Sequence, residues 1–147
     1  MQGLALSSRR ARATMSILIA MAVGGCRAEP RLPEMRLWTD DLAIRVSLDP
    51  VPPVAREAVR YRIVVRDKES GQPIEGGEGQ IFATSQDRRS VWDSFTPGPE
   101  LGTYYARLRF VTSGDWAVAI RFRRDSTKRL QRADWVQAVL TPAGPGA

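Results

Sequence analysis

The stretch from Leu101 to Phe122 has the most regular alternation of apolar and polar residues in the chain. Apolar side chains occupy every second position from Tyr104 to Phe110, and again from Trp116 to Phe122. A period of two residues is typical of a β-strand that buries one of its faces. The pattern therefore predicts two strands whose apolar residues, Tyr104 and Trp116 included, belong to the core.

Ser113 and Gly114 lie between these two strands and indicate a reversal of the chain. In a hairpin centred on Ser113, Phe110 lies opposite Trp116 and the remaining apolar pairs follow on the same face. Gly114 supplies the positive φ that such a loop often requires. The alternative is an arch that places the two strands in opposite sheets of a sandwich. The apolar face is buried in both arrangements.

Five further segments have strand patterns and are separated by turns rich in proline and glycine. They lie at 42–48, 59–66, 80–84, around 91–95, and at 134–140. Short strands at intervals near a dozen residues, with no amphipathic helix among them, are typical of a β-sandwich. The chain is therefore predicted to be all-β, with an immunoglobulin-like antiparallel β-sandwich of about seven strands at 37–140. A disordered tail is expected at 141–147.

The N-terminal segment has three features in a characteristic order. A basic stretch ends at Arg12, a mainly apolar run of nine residues extends from Met15 to Val23, and two glycines precede Cys26. A run of this length is too short to span a membrane but suits a secretory signal. Residues 1–25 are therefore predicted to form a signal helix that is cleaved off.

The small residues before Cys26 resemble a bacterial lipobox, in which the cysteine becomes the acylated first residue of the mature protein. Several acyl chains hold a protein on a bilayer stably where one does not. Cys26 is therefore the predicted lipidation site, and the polar, proline-containing residues 26–36 are the predicted tether. The expected location is the bacterial cell envelope, facing the periplasm. Arg27 stands where an inner-membrane retention signal has aspartate, which favours the outer membrane.

The amino-acid composition argues against several classes of function. The formal net charge of +6 falls to +3 once the three signal arginines are cleaved off, so no nucleic-acid partner is expected. The chain has no histidine, and lipidation uses its single cysteine. The usual catalytic triads and the common zinc and copper sites are therefore excluded. We expect a non-enzymatic protein without catalytic residues, metal ligands or cofactors.

The polar positions of the Leu101–Phe122 stretch hold the candidate binding residues. If the two strands share a sheet, one face carries four arginines: Arg107, Arg109, Arg121 and Arg123. Such a basic surface is a hypothetical docking site for an acidic envelope protein or for anionic lipid headgroups. The alternative is a solvated face whose arginine stems cover neighbouring apolar surface.

Trp135 is a second candidate for partner contact. It is opposite in phase to Val136, Ala138 and Leu140, which form the apolar series of the last predicted strand. This phase predicts that Trp135 points to solvent. Exposed tryptophans are frequent anchors in protein interfaces.

Three short motifs carry a resemblance to a known family. They are Gly-Gln-Pro-Ile at 71–74, Gly-Thr-Tyr-Tyr at 102–105 and Gly-Asp-Trp at 114–116. Together they resemble the YtkA-like/FixH-like periplasmic domains. The resemblance implies an immunoglobulin-like sandwich, secreted or membrane-tethered, and some members are associated with copper handling or cytochrome oxidase assembly. An accessory role of that kind is the alternative function. Copper carriers use His and Met, and only Met35 follows the signal, so no metal ligand is carried over.

Overall fold

The computed structural model describes residues 32–144, and this part of the chain contains nine strands and no helix. The strands are β1 (Glu34–Trp38), β2 (Leu42–Asp49), β3 (Ala58–Asp67), β4 (Glu78–Ser85), β5 (Ser90–Ser94), β6 (Thr96–Pro97), β7 (Thr103–Arg109), β8 (Gly114–Arg123) and β9 (Gln131–Val139). The predicted signal peptide, Cys26 and the first part of the tether lie outside the described residues. Between residues 32 and 144 no helix is long and apolar enough to cross a membrane.

The strands form two antiparallel sheets that pack as a sandwich. One sheet has the order β1-β2-β3-β7-β6, and the other has the order β5-β4-β8-β9. Each of the seven predicted strands is present, and the predicted all-β sandwich is confirmed. Two short strands at sheet edges, β1 and β6, raise the number from about seven to nine.

Strand β1 occupies residues 34–36 of the predicted tether and continues to Trp38. Its inward residues, Met35 and Leu37, pack against the core, while Glu34 and Arg36 point outward. Only two inward apolar residues are present, so the alternation was too short to stand out in the sequence. The first strand of the sandwich therefore begins three residues before residue 37, where the sandwich was predicted to start.

The chain between β7 and β8 is an arch, and the predicted hairpin is wrong. Strand β7 pairs with β3 and β6 in the five-stranded sheet, whereas β8 pairs with β4 and β9 in the other. The rings of Phe110 and Trp116 meet edge to face at 5.2 Å between centroids, and the Trp116 indole N–H donates to the Thr112 carbonyl at 3.0 Å. Because both apolar series point into one core, their burial alone could not distinguish the two arrangements.

An aromatic cluster at the other end of these strands holds the glycine-rich segment before β4. The Tyr104 hydroxyl donates to the Ile74 carbonyl at 2.7 Å and accepts from the Gly77 amide at 3.1 Å. The rings of Tyr104 and Phe122 pack edge to face at 5.3 Å. A Cβ atom added at Gly77 would lie 2.1 Å from the Phe122 ring. Glycine is therefore required here by close packing, as expected for a structural bend.

We expect Gly77→Ala to destabilise the domain by about 1–3 kcal/mol, because the added methyl group overpacks the Phe122 ring. Urea unfolding followed by tryptophan fluorescence measures the change. Gly144→Ala is the matched control, since no atom lies within 4 Å of its added Cβ. Equal stability of both variants would contradict the packing at Gly77.

A charged clamp joins the two sheets at the end of β3. Arg124, which directly follows β8, donates to Asp67 Oδ2 at 2.5 Å, and its Nε lies 3.5 Å from Asp41 Oδ2. Asp67 Oδ1 also accepts from the Ser70 amide at 2.7 Å. The hydrogen bond from the Ser70 amide, followed by that from Arg124, holds the pKa of Asp67 well below its usual range.

This lowered pKa makes the stabilisation by the Asp67 carboxylate dependent on pH. Its contribution is complete above the unfolded-state pKa of about 3.9 and is lost as the pH falls from there through the folded-state pKa. Urea midpoints should therefore show Asp67→Asn less stable than the natural protein at pH 7, with a difference that shrinks below about pH 4. Asp134→Asn, which removes an exposed ion pair, is the control and should cost little at either pH. A deficit for Asp67→Asn that does not change with pH would contradict the clamp.

Candidate binding surfaces

The four arginines of the predicted basic face lie on two different surfaces. Arg107 and Arg109 point outward from β7 in the five-stranded sheet, whereas Arg121 and Arg123 point outward from β8 in the four-stranded sheet. The outer faces of a sandwich point away from each other. The prediction of one shared face is therefore wrong, because it depended on the hairpin.

The prediction for Trp135 is also wrong. In β9 the buried positions are Ala133 and Val139, so Trp135 shares their phase and Val136 is 70% exposed. The Trp135 ring packs against the core and lies 6.4 Å from the ring of Tyr61. The error arose because the apolar series Val136, Ala138 and Leu140 marks the outer face of this edge strand.

The outer face of the five-stranded sheet carries seven arginines, which we call the arginine face. Strands β1, β2, β3 and β7 all contribute to it. Its members are Arg36, Arg45, Arg60, Arg62, Arg66, Arg107 and Arg109. Of these seven, only Arg107 and Arg109 were candidate binding residues in the sequence analysis. The alternation in β3 already placed three further arginines on the polar side of that strand. The sheet order was needed to bring the four strands together.

Strand register places some of these arginines directly opposite one another. Arg36 is the cross-strand partner of Arg45, and Arg60 is the partner of Arg107. Directly opposed like charges destabilise a sheet. Carboxylates lie near two of the seven: Glu34 is 3.4 Å from Arg45, and Glu100 is 2.6 Å from Arg62. The guanidinium groups of the other five have no carboxylate oxygen within 4.0 Å among residues 32–144. Two carboxylates nevertheless lie nearby, because Asp49 is the cross-strand partner of Arg60 on β2, and Asp93 accepts from the Arg107 backbone amide.

Contacts other than ion pairs position some of these side chains. The Arg60 guanidinium lies 4.4 Å from the centre of the Tyr105 ring, a cation–π distance. Arg109 Nε donates to the Arg56 carbonyl at 2.7 Å. Neither contact involves a carboxylate. Trp38, which is 60% exposed, lies on the same face at the end of β1.

The outer face of the four-stranded sheet has a different chemistry, and we call it the aromatic face. Trp92 on β5 is 68% exposed and is the direct partner of Phe82 on β4. The guanidinium groups of Arg121 and Arg132 lie 4.8 and 5.2 Å from the centre of the Phe82 ring. The sequence alone did not bring Trp92, Phe82 and Arg121 together on one face. Their proximity depends on the β5-β4-β8-β9 order.

The acidic side chains mostly serve the fold. Asp40 pairs with Arg129 at 2.6 Å, and Asp93 Oδ2 accepts from the Arg107 backbone amide at 2.7 Å. The second contact satisfies an amide of β7 beyond the two residues that pair with β6. Within residues 32–144, no group of three or more His, Cys, Asp or Glu side chains is placed to hold a metal ion.

Comparison with known proteins supports the architecture. No protein-family model matches the chain, and no curated protein matches it. The crystal structure of a DUF4426 family protein from Pseudomonas aeruginosa PAO1 is similar, with a TM-score of 0.57 and 13% sequence identity. The match covers 75% of this chain and 97% of that protein. The fold is a small β-sandwich. At this identity the likeness concerns the fold alone, and it does not single out the YtkA-like/FixH-like domains.

Proposed function

We propose that this protein is a lipid-anchored, non-enzymatic domain of the cell envelope that binds an anionic membrane surface through its arginine face. The observation that carries the proposal is the set of five arginines on one sheet face that form no ion pair, including the directly opposed pair Arg60 and Arg107. Such a pair costs stability in the free protein. Phosphate groups of a bilayer would relieve this repulsion and accept hydrogen bonds from the guanidinium groups.

The shape of the face suits a bilayer. Neighbouring strands of a sheet lie about 4.8 Å apart, so the guanidinium groups spread over a broad surface and can meet many headgroups at once. Each basic residue near an anionic membrane contributes about 1 kcal/mol of attraction. Trp38 supplies the amphipathic ring that favours the headgroup level of a membrane.

The position of the predicted anchor favours a membrane over a protein partner. Seven residues lie between Cys26 and Glu34, the first residue of β1. This segment reaches about 29 Å at most when fully extended. Strand β1 is an edge strand of the sheet that carries the arginine face. Because the tether keeps the domain within this distance of the membrane, the effective concentration of the membrane surface is high. Weak contacts are therefore sufficient for binding.

The cellular location and the family relationship of the protein are parts of the same proposal. The basic stretch, short apolar run and lipobox-like Cys26 support export and lipidation, and Arg27 after the cysteine favours the periplasmic side of the outer membrane. The three short motifs support kinship with the YtkA-like/FixH-like domains. Copper handling rests on that kinship alone, and nothing among residues 32–144 favours it.

We expect Cys26 to be acylated when the gene is expressed in a double-membraned bacterium. Metabolic labelling with palmitate should mark the protein, and Cys26→Ser should lose the label, because no other cysteine is present. Ser113→Ala is a control that keeps Cys26. Retention of the label in Cys26→Ser would contradict lipidation at this residue.

Vesicle binding tests the arginine face separately from the anchor. A fragment of residues 31–147 contains all nine strands and the core. It should co-sediment with vesicles containing roughly one third phosphatidylglycerol, and salt should weaken the binding. We expect Arg60→Gln/Arg107→Gln to lower the affinity about 30-fold, from two contributions of about 1 kcal/mol each. Its stability to urea should change by less than about 1 kcal/mol, because removal of the like-charge pair offsets the loss of the Arg60–Tyr105 contact.

The matched control is Arg89→Gln/Arg129→Gln, which removes two exposed, ion-paired arginines outside the arginine face. This control should bind vesicles like the natural fragment. Equal binding to neutral phosphatidylcholine vesicles, or no loss in the Arg60/Arg107 variant, would contradict the proposal. Salt-sensitive binding to an acidic envelope protein but not to anionic vesicles would replace the lipid by a protein partner.

A further inference from the structure

Two neighbouring grooves lie on the aromatic face and share Gln80 and Arg121. The first, of about 320 Å³, is bounded on its far side by Phe82, Ser90 and Trp92. The second, of about 380 Å³, is bounded on its far side by Glu78, Arg123 and Leu130. Gln80 and Arg121 are direct cross-strand partners, so they form the junction between the grooves. An elongated ligand with at least two units can therefore occupy both.

Arg121 is the uncompensated charge at this junction. The flanking arginines have carboxylate partners: Arg123 Nη2 lies 2.5 Å from Glu78 Oε2, and Arg132 Nη2 lies 2.6 Å from Asp134 Oδ1. Among the described residues Arg121 has no carboxylate within 4.0 Å. Its guanidinium is instead held over the Phe82 ring at 4.8 Å. This contact leaves the N–H donors at the rim of the guanidinium available for an anion.

Trp92 offers a large ring to the first groove. It is 68% exposed, and its strand neighbours Ser90 and Ser94 point outward from β5 with it. The lining thus combines one exposed aromatic ring with hydroxyl, amide and guanidinium groups. Sugar rings need this combination, because their C–H faces stack on aromatic rings while their hydroxyl groups seek donors and acceptors. A mainly apolar partner would leave the Gln80 amide and the Arg121 donors unpaired at a cost.

The geometry points to a binding site for an acidic oligosaccharide on the aromatic face. In this arrangement Trp92 stacks on one sugar ring, and Arg121 binds the carboxylate of a uronic acid with two parallel hydrogen bonds. The second groove holds the next sugar beside Leu130. This site goes beyond the proposed function and lies on the outer face opposite the arginine face. Either can therefore fail without the other.

Isothermal titration calorimetry of the full chain, in a zwitterionic detergent without a sugar headgroup, tests the site. The probe is a tetramer of galacturonic acid, and the same tetramer with every carboxylate methyl-esterified is its neutral counterpart. We expect the acidic tetramer to bind at least about fivefold more tightly than the ester, because only a carboxylate pairs with Arg121. Trp92→Ala should weaken both ligands about tenfold, since the stacking ring is lost.

The decisive variant is Arg121→Gln, which should bind both tetramers with the affinity of the ester. Two controls, Leu101→Ala and Arg89→Gln, remove an exposed apolar side chain and an exposed arginine elsewhere, and should bind like the natural protein. Absence of binding at about 10 mM, or equal binding of the acid and the ester by the natural protein, would overturn the proposal. Loss of binding in Arg60→Gln/Arg107→Gln but not in Arg121→Gln would overturn it too, because the tetramer would then occupy the arginine face.

Discussion

The arch between β7 and β8 carries the chain from the five-stranded sheet to the four-stranded sheet. Phe110 ends the first strand's apolar series and Trp116 begins the second, and their rings meet edge to face inside the core. The indole N–H is satisfied within the arch by the Thr112 carbonyl. This arrangement lets one apolar segment supply a central strand to each sheet and links the two sheets covalently. Without it, β4 and β9 would have no partner strand between them.

The same arch determines which arginines share an outer face of the sandwich. Arginines that are close in sequence separate onto opposite outer faces, where each group gains neighbours from distant segments. On one face Arg107 meets Arg60 across the β3–β7 pair. On the other face Arg121 meets Arg132 and the Phe82 ring. The domain therefore presents two surfaces that differ in kind, one strongly cationic and one aromatic with a single uncompensated arginine at its grooves, among the residues described.

Both surfaces contain features that folding alone does not favour. Directly opposed arginines repel each other, and an exposed tryptophan leaves apolar area in water. Elsewhere the domain pairs its charges well, as at Asp67, whose carboxylate accepts from backbone amides and from Arg124. The contrast between the ion-paired clamp and the faces with unpaired arginines is the physical reason to propose binding at the faces and a stabilising role for the clamp.

Seven of the nine strands, the burial of Tyr104 and Trp116, and the sandwich class follow from the alternation in the sequence, because a buried face imposes a period of two wherever the partner strand lies. The sequence did not decide which strands are neighbours. Sheet order brings Arg60 to Arg107 and Phe82 to Trp92, and these contacts depend on non-local pairing that the alternation does not encode. The alternation also led to the wrong orientation for Trp135. The apolar series of edge strand β9 faces outward, and the Trp135 ring packs against the core instead. Local periodicity specifies which side of a strand is apolar, and only tertiary packing decides what each side meets.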